Sequence, residues 1–527
     1  MPERRVLFGR AKRLLPTESS NERTLEDDAM ALGKAAIPRV LIVGAGPVGM
    51  SAALELARYG VPSVVLEQRP ALSTDSSRAI VLARHTLETF ARYGCTEIFE
   101  RGVRLEGSRT YYRNHEIGRM DFPAEAGTPR LLNLQQSHTE RILLDRISAS
   151  PHAAVEFETE VTGIDQTDSG VRVETSRGTF DAEYVIAADG AHSSVRDLLD
   201  IPFPGTTCDG RFLLADIRAD LRGPKLRKFW FDPSSNRGRH IWLHPQADDV
   251  WRTDYHVPEG TDPQEELKSG KLDRRIRALL PEIDDYELVW LSTWRFHQKV
   301  VGNFRADRVF LVGDAAHLMA PFGARGLNSG VEDVVNLAWK LALVLAGEAP
   351  DALLDTYNEE RRGAALVNLR MTQSTADFIE PPTPLQRARK ALALRAAVYS
   401  SRARGYINDV RFTTQGDYHR GGHELTGRPA AQRPQADHGA RLTALVATSG
   451  QDGFDRLVGE LADLPVEPIH CPPGDPVAAA LGIEGSAVVL RPDGYVDAVV
   501  APQPERVRAA VAAALGNPSL ADLTRER

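Results

Sequence analysis

The sequence predicts an α/β protein of several domains: a doubly wound, mostly parallel sheet, an interleaved antiparallel sheet and a small C-terminal α/β module. Three observations lead there. Val40 to Val43 is an apolar run that breaks into Gly44-Ala45-Gly46-Pro47-Val48-Gly49, followed by a helix-like stretch and a second apolar run ending in Glu67. Arg211 to Arg295 is rich in strand patterns and aromatic residues. At 527 residues the chain exceeds what one hydrophobic core serves, so two or three domains are expected.

The glycine motif gains its meaning from its context. In a strand–turn–helix–strand unit, Gly44 permits the tight turn, Gly46 lets backbone approach a pyrophosphate, and Gly49 lets the helix pack close to the strand. The helix start supplies unpaired N–H groups and a positive dipole end to phosphates. Glu67 lies 21 positions after Gly46, where an acidic side chain accepts hydrogen bonds from an adenosine ribose.

Apolar residues at helical spacing predict helices over Met50–Tyr59, Thr86–Tyr93 and His138–Ser148. Val155 to Ala188 reads as short antiparallel strands joined by turns at Asp168-Ser169-Gly170 and Arg177-Gly178. The aromatic-rich stretch holds Phe212, Phe229, Trp230, Phe231, Trp242, Trp251, Tyr255 and Trp294, with a helical insert at Gln264–Leu280. Such a sheet suits the wall of an apolar pocket, although most of these aromatics are expected to be core. Arg308–Asp314 reads as another buried strand. A long helix starts near Ser329 and runs to Leu345, with Val331, Val334, Val335, Ala338, Leu341, Ala342 and Leu345 along one stripe. More helices follow to about Tyr406, and Gly421–Gln435, rich in Gly, Pro, Gln and Arg, reads as a linker. Residues 436–527 then carry helix and strand patterns at Leu442–Ala447, Phe454–Leu461, Ala487–Leu490, Tyr495–Val500 and Pro504–Leu515.

A formal net charge of −8 argues against nucleic acid as an obligate partner. Cys95, Cys208 and Cys471 stand far apart, so neither a disulfide framework nor a zinc site is expected, and a reducing cytoplasm fits best. No apolar run approaches the roughly 18 residues needed to span a bilayer. Residues 1–37 mix basic and acidic side chains without an apolar signal core. They are expected to be a disordered extension, or an over-long start with Met30 as the initiator.

Two further motifs follow in order. Tyr184-Val-Ile-Ala-Ala-Asp189-Gly190 puts Asp-Gly after a buried strand, where backbone can come close to a bound dinucleotide. Gly313-Asp314-Ala315-Ala316-His317 precedes Pro321-Phe322-Gly323-Ala324-Arg325-Gly326-Leu327-Asn328. There a carboxylate at a strand end can bind a polyol hydroxyl, and the turn into the long helix points N–H groups at an electron-accepting ring. In order and residues the three motifs resemble those of the FAD-dependent aromatic hydroxylases, the single-component flavoprotein monooxygenases similar to p-hydroxybenzoate hydroxylase. Arg491-Pro492-Asp493-Gly494-Tyr495-Val496 resembles the phenol hydroxylase and 3-(3-hydroxyphenyl)propionate hydroxylase branch, where it sits in a C-terminal thioredoxin-like domain.

The resemblance implies a Rossmann-like FAD-binding domain in two parts (38–203 and 301–420), a substrate domain between them (204–300), the 421–435 linker and a thioredoxin-like domain (436–527). It implies that Gly44, Gly46, Pro47, Gly49 and Asp189 border the cofactor, that Glu67 holds its adenosine ribose, and that Asp314 with Gly313 holds the ribityl chain. Arg78 and Gln136 match family positions near the flavin, and Pro321, Gly323, Gly326, Leu327 and Asn328 would lie along its ring. Family members often have Gly-Gln where this chain has Ala324-Arg325; Arg325 either favours an anionic substrate or the reduced flavin, or is a solvated surface arginine. His317 belongs to the flavin motif, so a structural hydrogen bond is expected of it ahead of proton transfer. No catalytic residue, metal site or dithiol pair is assigned.

The implied activity is hydroxylation of a phenolic ring with NADH or NADPH and O2, through a flavin hydroperoxide, on a small aromatic substrate and without a separate nicotinamide domain. A homodimer is implied by resemblance alone. A Baeyer–Villiger or epoxidising oxygenase on the same scaffold and a non-catalytic flavin-binding protein are the alternatives.

Overall fold

The computed structural model describes residues 38–73, 79–122, 127–407, 439–448, 451–483 and 485–516. The expectations for residues 1–37, for the 421–435 linker and for Arg78 fall outside these.

Val40–Val43, Ser63–Leu66, Ala153–Glu156, Tyr184–Ala187 and Val309–Leu311 form a parallel sheet with a short antiparallel edge, Arg305–Ala306. Every residue of Val40–Val43 and Tyr184–Ala187 is buried, as a sheet covered on both faces requires. The run read as antiparallel from Val155 to Ala188 therefore divides. Only Val161–Gln166, Val171–Thr175 and Gly178–Ala182 make an antiparallel sheet, and its middle strand alternates buried and exposed residues. The first helix begins at Pro47, whose fixed φ suits a first turn. It packs against the long helix, Gly326–Leu345.

An eight-stranded sheet runs in the order His317–Leu318, Glu287–Val300, Gly205–Arg218, Val250–Val257, His240–Pro245, Leu226–Phe231, Gly107–Tyr112, His115–Asp121. Its pairs are antiparallel except Leu226–Phe231 with Gly107–Tyr112. The Gly107–Asp121 hairpin, unread in the sequence, comes from within the first nucleotide-binding segment. Strand alternation gives the sheet two faces. On one, Leu213, Ala215, Ile217, Ile241, Leu243, Trp251 and Tyr255 pack with Leu272 and Ile276. Those two come from a helical insert that is two helices, Pro263–Lys268 and Lys271–Leu279, parted at Gly270 with φ 68°. The other face looks into a cavity.

The C-terminal module is a sheet in the order Val466–Cys471, Leu442–Ala447, Ala487–Leu490, Val496–Val500. Its first pair is parallel and the others antiparallel, flanked by helices Gln451–Leu461, Pro476–Leu481 and Pro504–Ala514, a thioredoxin-like arrangement. Val466–Cys471 went unread because Pro468 interrupts a short strand of mixed polarity.

Arg491 fastens this module to the rest. Its guanidinium donates to both oxygens of Glu360 at 2.8 Å and to Asp493. Lys340 (2.9 Å) and Asn336 (2.7 Å) of the long helix donate to the same Glu360. The side chains of Arg491, Lys340, Glu360 and Asp493 are all at most 3% exposed, and Asp497 stands 3.9 Å from the same Arg491. Removing one partner strands the rest without water, at a cost of about 3–5 kcal/mol. Arg491→Met is therefore expected to lower stability by that amount in urea unfolding followed by tryptophan fluorescence, Trp339 lying 5.4 Å from the Arg491 guanidinium. An unchanged midpoint would show that the cluster does not hold the module.

Candidate active site

A cavity of about 1150 Å³ opens where the parallel strands end, lined by Gly44, Glu67, Asp189 and Asp314, and continues beneath the eight-stranded sheet. That exceeds the roughly 300–1000 Å³ of a pocket for one small ligand, so it has room for a dinucleotide and a second molecule.

Gly44 has φ 102°, and a Cβ there would stand 2.7 Å from the Ala188 carbonyl oxygen. The first turn thus rests directly on the Asp189 turn. A Cβ on Gly49 would lie 2.0 Å from the Gly44 oxygen, so Gly49 serves packing. A Cβ on Gly46 would meet no protein atom within 4 Å. Gly46 caps the first helix without a side-chain hydrogen bond, leaving amide groups at the cavity wall.

Glu67 is 5% exposed and accepts from the Ala45 amide (2.8 Å) and from Arg69 through its amide (3.0 Å) and Nε (2.8 Å). Burial alone would raise this carboxyl, but Arg69 and the two amides outweigh it and hold it below its usual value. Gln136 accepts from the Ala79 amide (3.1 Å) and donates to Glu140 (2.7 Å), whose carboxyl burial raises. Asp189 accepts from Val195 N (3.0 Å) and Ser194 Oγ (3.2 Å), while its Oδ1 is sealed without a partner. Burial raises the Asp189 carboxyl against those bonds.

Pro321, Gly323, Gly326, Leu327 and Asn328 line the cavity, and Asp314 stands at its edge. Ala324 has φ 58°, a left-handed conformation that costs a side chain about 1 kcal/mol, which accounts for glycine there in family members. Asn328 holds the turn by accepting from Ala83 N (2.9 Å) and donating to Val81 O (3.0 Å) and Ala324 O (2.6 Å). Gly313, with φ 57°, packs against Val48 instead of facing the cavity. Arg325 is no surface arginine: it is 4% exposed, lines the cavity and donates to Asn368 Oδ1 at 2.5 Å, and burial lowers its basicity. His317 is fully buried outside the cavity lining, its Nε2 2.7 Å from Asp333 Oδ2. Asp333 also accepts from Gly313 N (3.0 Å) and Arg361 Nε (2.7 Å). Burial would raise Asp333, yet His317 and Arg361 hold it below its usual value.

Beyond the turn, Phe212, Phe229, Phe231, Trp242 and Trp294 line the cavity, and Phe212, Phe229 and Phe231 are at most 8% exposed, so they are core and cavity wall at once. Trp230, Trp251 and Tyr255 lie on the opposite face. The Phe322 ring meets Trp242 at 5.6 Å and Phe296 at 5.8 Å, joining the turn to the sheet. The aromatic stretch gave no sign of a polar group further in: Arg227, His244, Arg252 and Asp254. Alternation on adjacent strands is the signal that could have shown them on this face. His240, His256 and Glu380 also bring ligand-type atoms within 4.8 Å of one another, from positions too far apart in sequence to suggest it. The half-buried Lys390 ammonium beside Glu380 already supplies positive charge there.

The profile of the family described as FAD binding domain matches residues 38–372. The chain belongs to that family. It is 30% identical over 390 residues to a 3-(3-hydroxy-phenyl)propionate/3-hydroxycinnamic acid hydroxylase of Mycolicibacterium smegmatis, covering 72% of this chain and 68% of that one. Among solved structures, p-nitrophenol 4-monooxygenase of Pseudomonas putida DLL-E4 is 29% identical with a TM-score of 0.61, over 70% of this chain and 96% of that one. Anhydrotetracycline hydroxylase OxyS of Streptomyces rimosus is 28% identical with a TM-score of 0.65, over 88% and 95%. The protein is an FAD-dependent monooxygenase of the aromatic hydroxylase type.

The open space at Gly46 fits the cofactor, because a dinucleotide phosphate needs close backbone and uncapped amides. Gly46→Val should therefore leave the thermal unfolding of the apoprotein within a few degrees of wild type but weaken FAD binding at least 100-fold in a fluorescence titration. Gly49→Ala, which collides with backbone, should instead lower the unfolding temperature. Equal FAD affinity in Gly46→Val would sink this placement of the pyrophosphate.

Proposed function

We infer that the protein hydroxylates a phenolic ring, using NADH or NADPH and O2. The observation that carries this is a single cavity joining a dinucleotide-type half to an aromatic-walled half with polar groups at its far side. FAD, when bound, takes a hydride from the nicotinamide and passes one atom of O2 to the ring.

In this reading Glu67 accepts from the adenosine ribose, the Gly44–Gly49 turn receives the pyrophosphate, and Asp314 takes the ribityl hydroxyls. The amides at the start of the long helix, with the dipole end and the Arg325 cation, stabilise negative charge gained by the ring system on reduction. Gln136 borders the same cofactor. Phe212, Phe229, Phe231, Trp242 and Trp294 grip the substrate ring and exclude water from the reacting atoms. Pieces of this assignment gain support from the cavity lining and from the relatives that are named as hydroxylases of small phenols. Among the described residues no helix is long and apolar enough to cross a membrane. Cys95 and Cys471 are free and buried, in keeping with a cytoplasmic location. A homodimer completes the reading by analogy alone.

Holoenzyme should show NADH or NADPH oxidation and oxygen uptake that rise at least tenfold with the right phenol, and mass spectrometry should find a product heavier by one oxygen. Uptake indifferent to a panel of phenols, hydroxylated aromatic acids and polycyclic phenols, with no oxygenated product, would remove the phenolic reading.

A further inference from the structure

Adjacent strands place two neighbouring rows of side chains across the cavity face of the eight-stranded sheet. One row runs Ser108, Arg227, His244, Arg252, Asp216, Trp290. The next runs Thr110, Phe229, Trp242, Asp254, Leu214, Ser292. The first is polar and the second is apolar except at Asp254 and its ends.

In the first row Arg252 and Asp216 satisfy each other, with Nε to Oδ1 and Nη2 to Oδ2 both at 2.8 Å, and Gln246 adds a bond of 3.1 Å to Asp216. Asp254 is different. It lines the cavity, yet its Oδ1 is sealed and has no hydrogen-bond partner. The Asp254 side chain is itself partly exposed to the cavity, so a ligand donor would meet the carboxylate from that side, and a carboxylate whose other oxygen has no partner is costly until such a donor arrives. Beside it on the sheet, Trp242 touches Phe322 of the turn before the long helix. A ring lying against Trp242 and Phe322 therefore presents its edge to Asp254.

We propose that Asp254 is the group that recognises the substrate hydroxyl: its carboxylate accepts the phenolic O–H and takes the proton as the ring is oxygenated. This rests on the phenolic reading above and names its specificity residue. In the transfer the phenol O–H bond breaks, a carboxyl O–H bond forms on Asp254, and the electron pair stays on the phenol oxygen. The resulting phenolate is the more electron-rich ring, and the Arg227 and Arg252 guanidiniums face its negative charge. Asp254 then returns the proton to solvent when product leaves.

The electrostatics agree. Burial pushes the Asp254 carboxyl up to about 7, against the pull of Arg252 and with the push of Asp216. Burial, then Arg227 and Arg252, holds His244 well below its usual value, so it is a neutral neighbour. Burial brings Arg227 down to about 10, still cationic at neutral pH. The turn before the long helix, which lines the cavity with them, adds the Arg325 guanidinium. Asp254 is thus ready to change charge near neutrality.

The test uses holoenzyme, with binding read from the perturbed flavin spectrum for phenol, 4-nitrophenol and 3-(3-hydroxyphenyl)propionate, each beside its O-methyl ether. Wild type should prefer at least one phenol over its ether by tenfold or more, and Asp254→Asn should erase that preference while keeping full FAD content. For the preferred phenol, kcat/KM should rise through about pH 7 in wild type, where Asp254 becomes anionic, and lose that limb in Asp254→Asn. Because the folded carboxyl sits above the roughly 3.9 of an unfolded aspartate, wild-type stability should also fall as pH climbs from about 4 to about 7. Asp254→Asn should flatten that slope, which shows the variant folded. Preference and pH limb unchanged in Asp254→Asn would overturn the Asp254 assignment and leave the phenolic reading standing. No phenol preferred or hydroxylated by wild type would overturn both.

Discussion

One buried polar stripe on the long helix holds the molecule's parts in register. Ser329, the adjacent pair Glu332 and Asp333, Asn336 and Lys340 recur at three- and four-residue spacing and are all at most 7% exposed. Asp333 fixes the Gly313 amide and His317, hence the turn that carries Asp314. Arg361 bonds Ser329 O (3.2 Å), Glu332 (3.0 Å) and Asp333 (2.7 Å), clamping the next helix. Two turns on, Asn336 and Lys340 hold Glu360, and through it Arg491 of the C-terminal module. In a low-dielectric core each of these groups is costly alone and acceptable only when fully partnered, so the stripe admits few alternative packings. The start of the helix inherits that rigidity, and it is the start that faces the cavity.

This arrangement explains why the cavity can keep several charges of its own. Arg325, Asp189, Glu140 and Asp254 are all shifted toward their neutral forms by burial. A loose scaffold would relieve such groups by admitting water or swinging them outward. Here the turn before the helix is pinned by Asn328 to the strand at Val81–Ala83, and by Phe322 to the eight-stranded sheet. Unfavourable local electrostatics are thereby kept available for ligands, which repay them on binding.

How much of this the sequence shows follows from how local each signal is. The first turn is legible because its constraint is backbone-deep: Gly44 and Gly49 are excluded from bearing side chains by neighbours within a few residues in space, and glycine is the only residue that answers. The apolar face of the long helix is legible by its periodicity, but its polar stripe is not, because Asp333 and Lys340 look like solvent-facing residues until their partners arrive from other elements. Arg325 misleads for the same reason, since an arginine in a loop gives no hint of Asn368 on another helix. Arg491-Pro-Asp493-Gly, read as a family mark, turns out to be half of an interface whose other half is Glu360, more than a hundred positions away.

The eight-stranded sheet carries this to its limit. Its two faces have similar composition, with tryptophan, tyrosine and leucine on both, so hydrophobicity does not say which face is core. What decides it is the two short helices, which cover Leu213, Ile241 and Trp251 and leave Phe212, Trp242 and Asp254 to the cavity. A one-residue slip in any strand would exchange the two sets. The turns at the parallel strand ends are therefore written in contiguous motifs under backbone constraint, while the cavity-facing positions of the eight-stranded sheet are spread singly over many strands, each free to change without disturbing those turns.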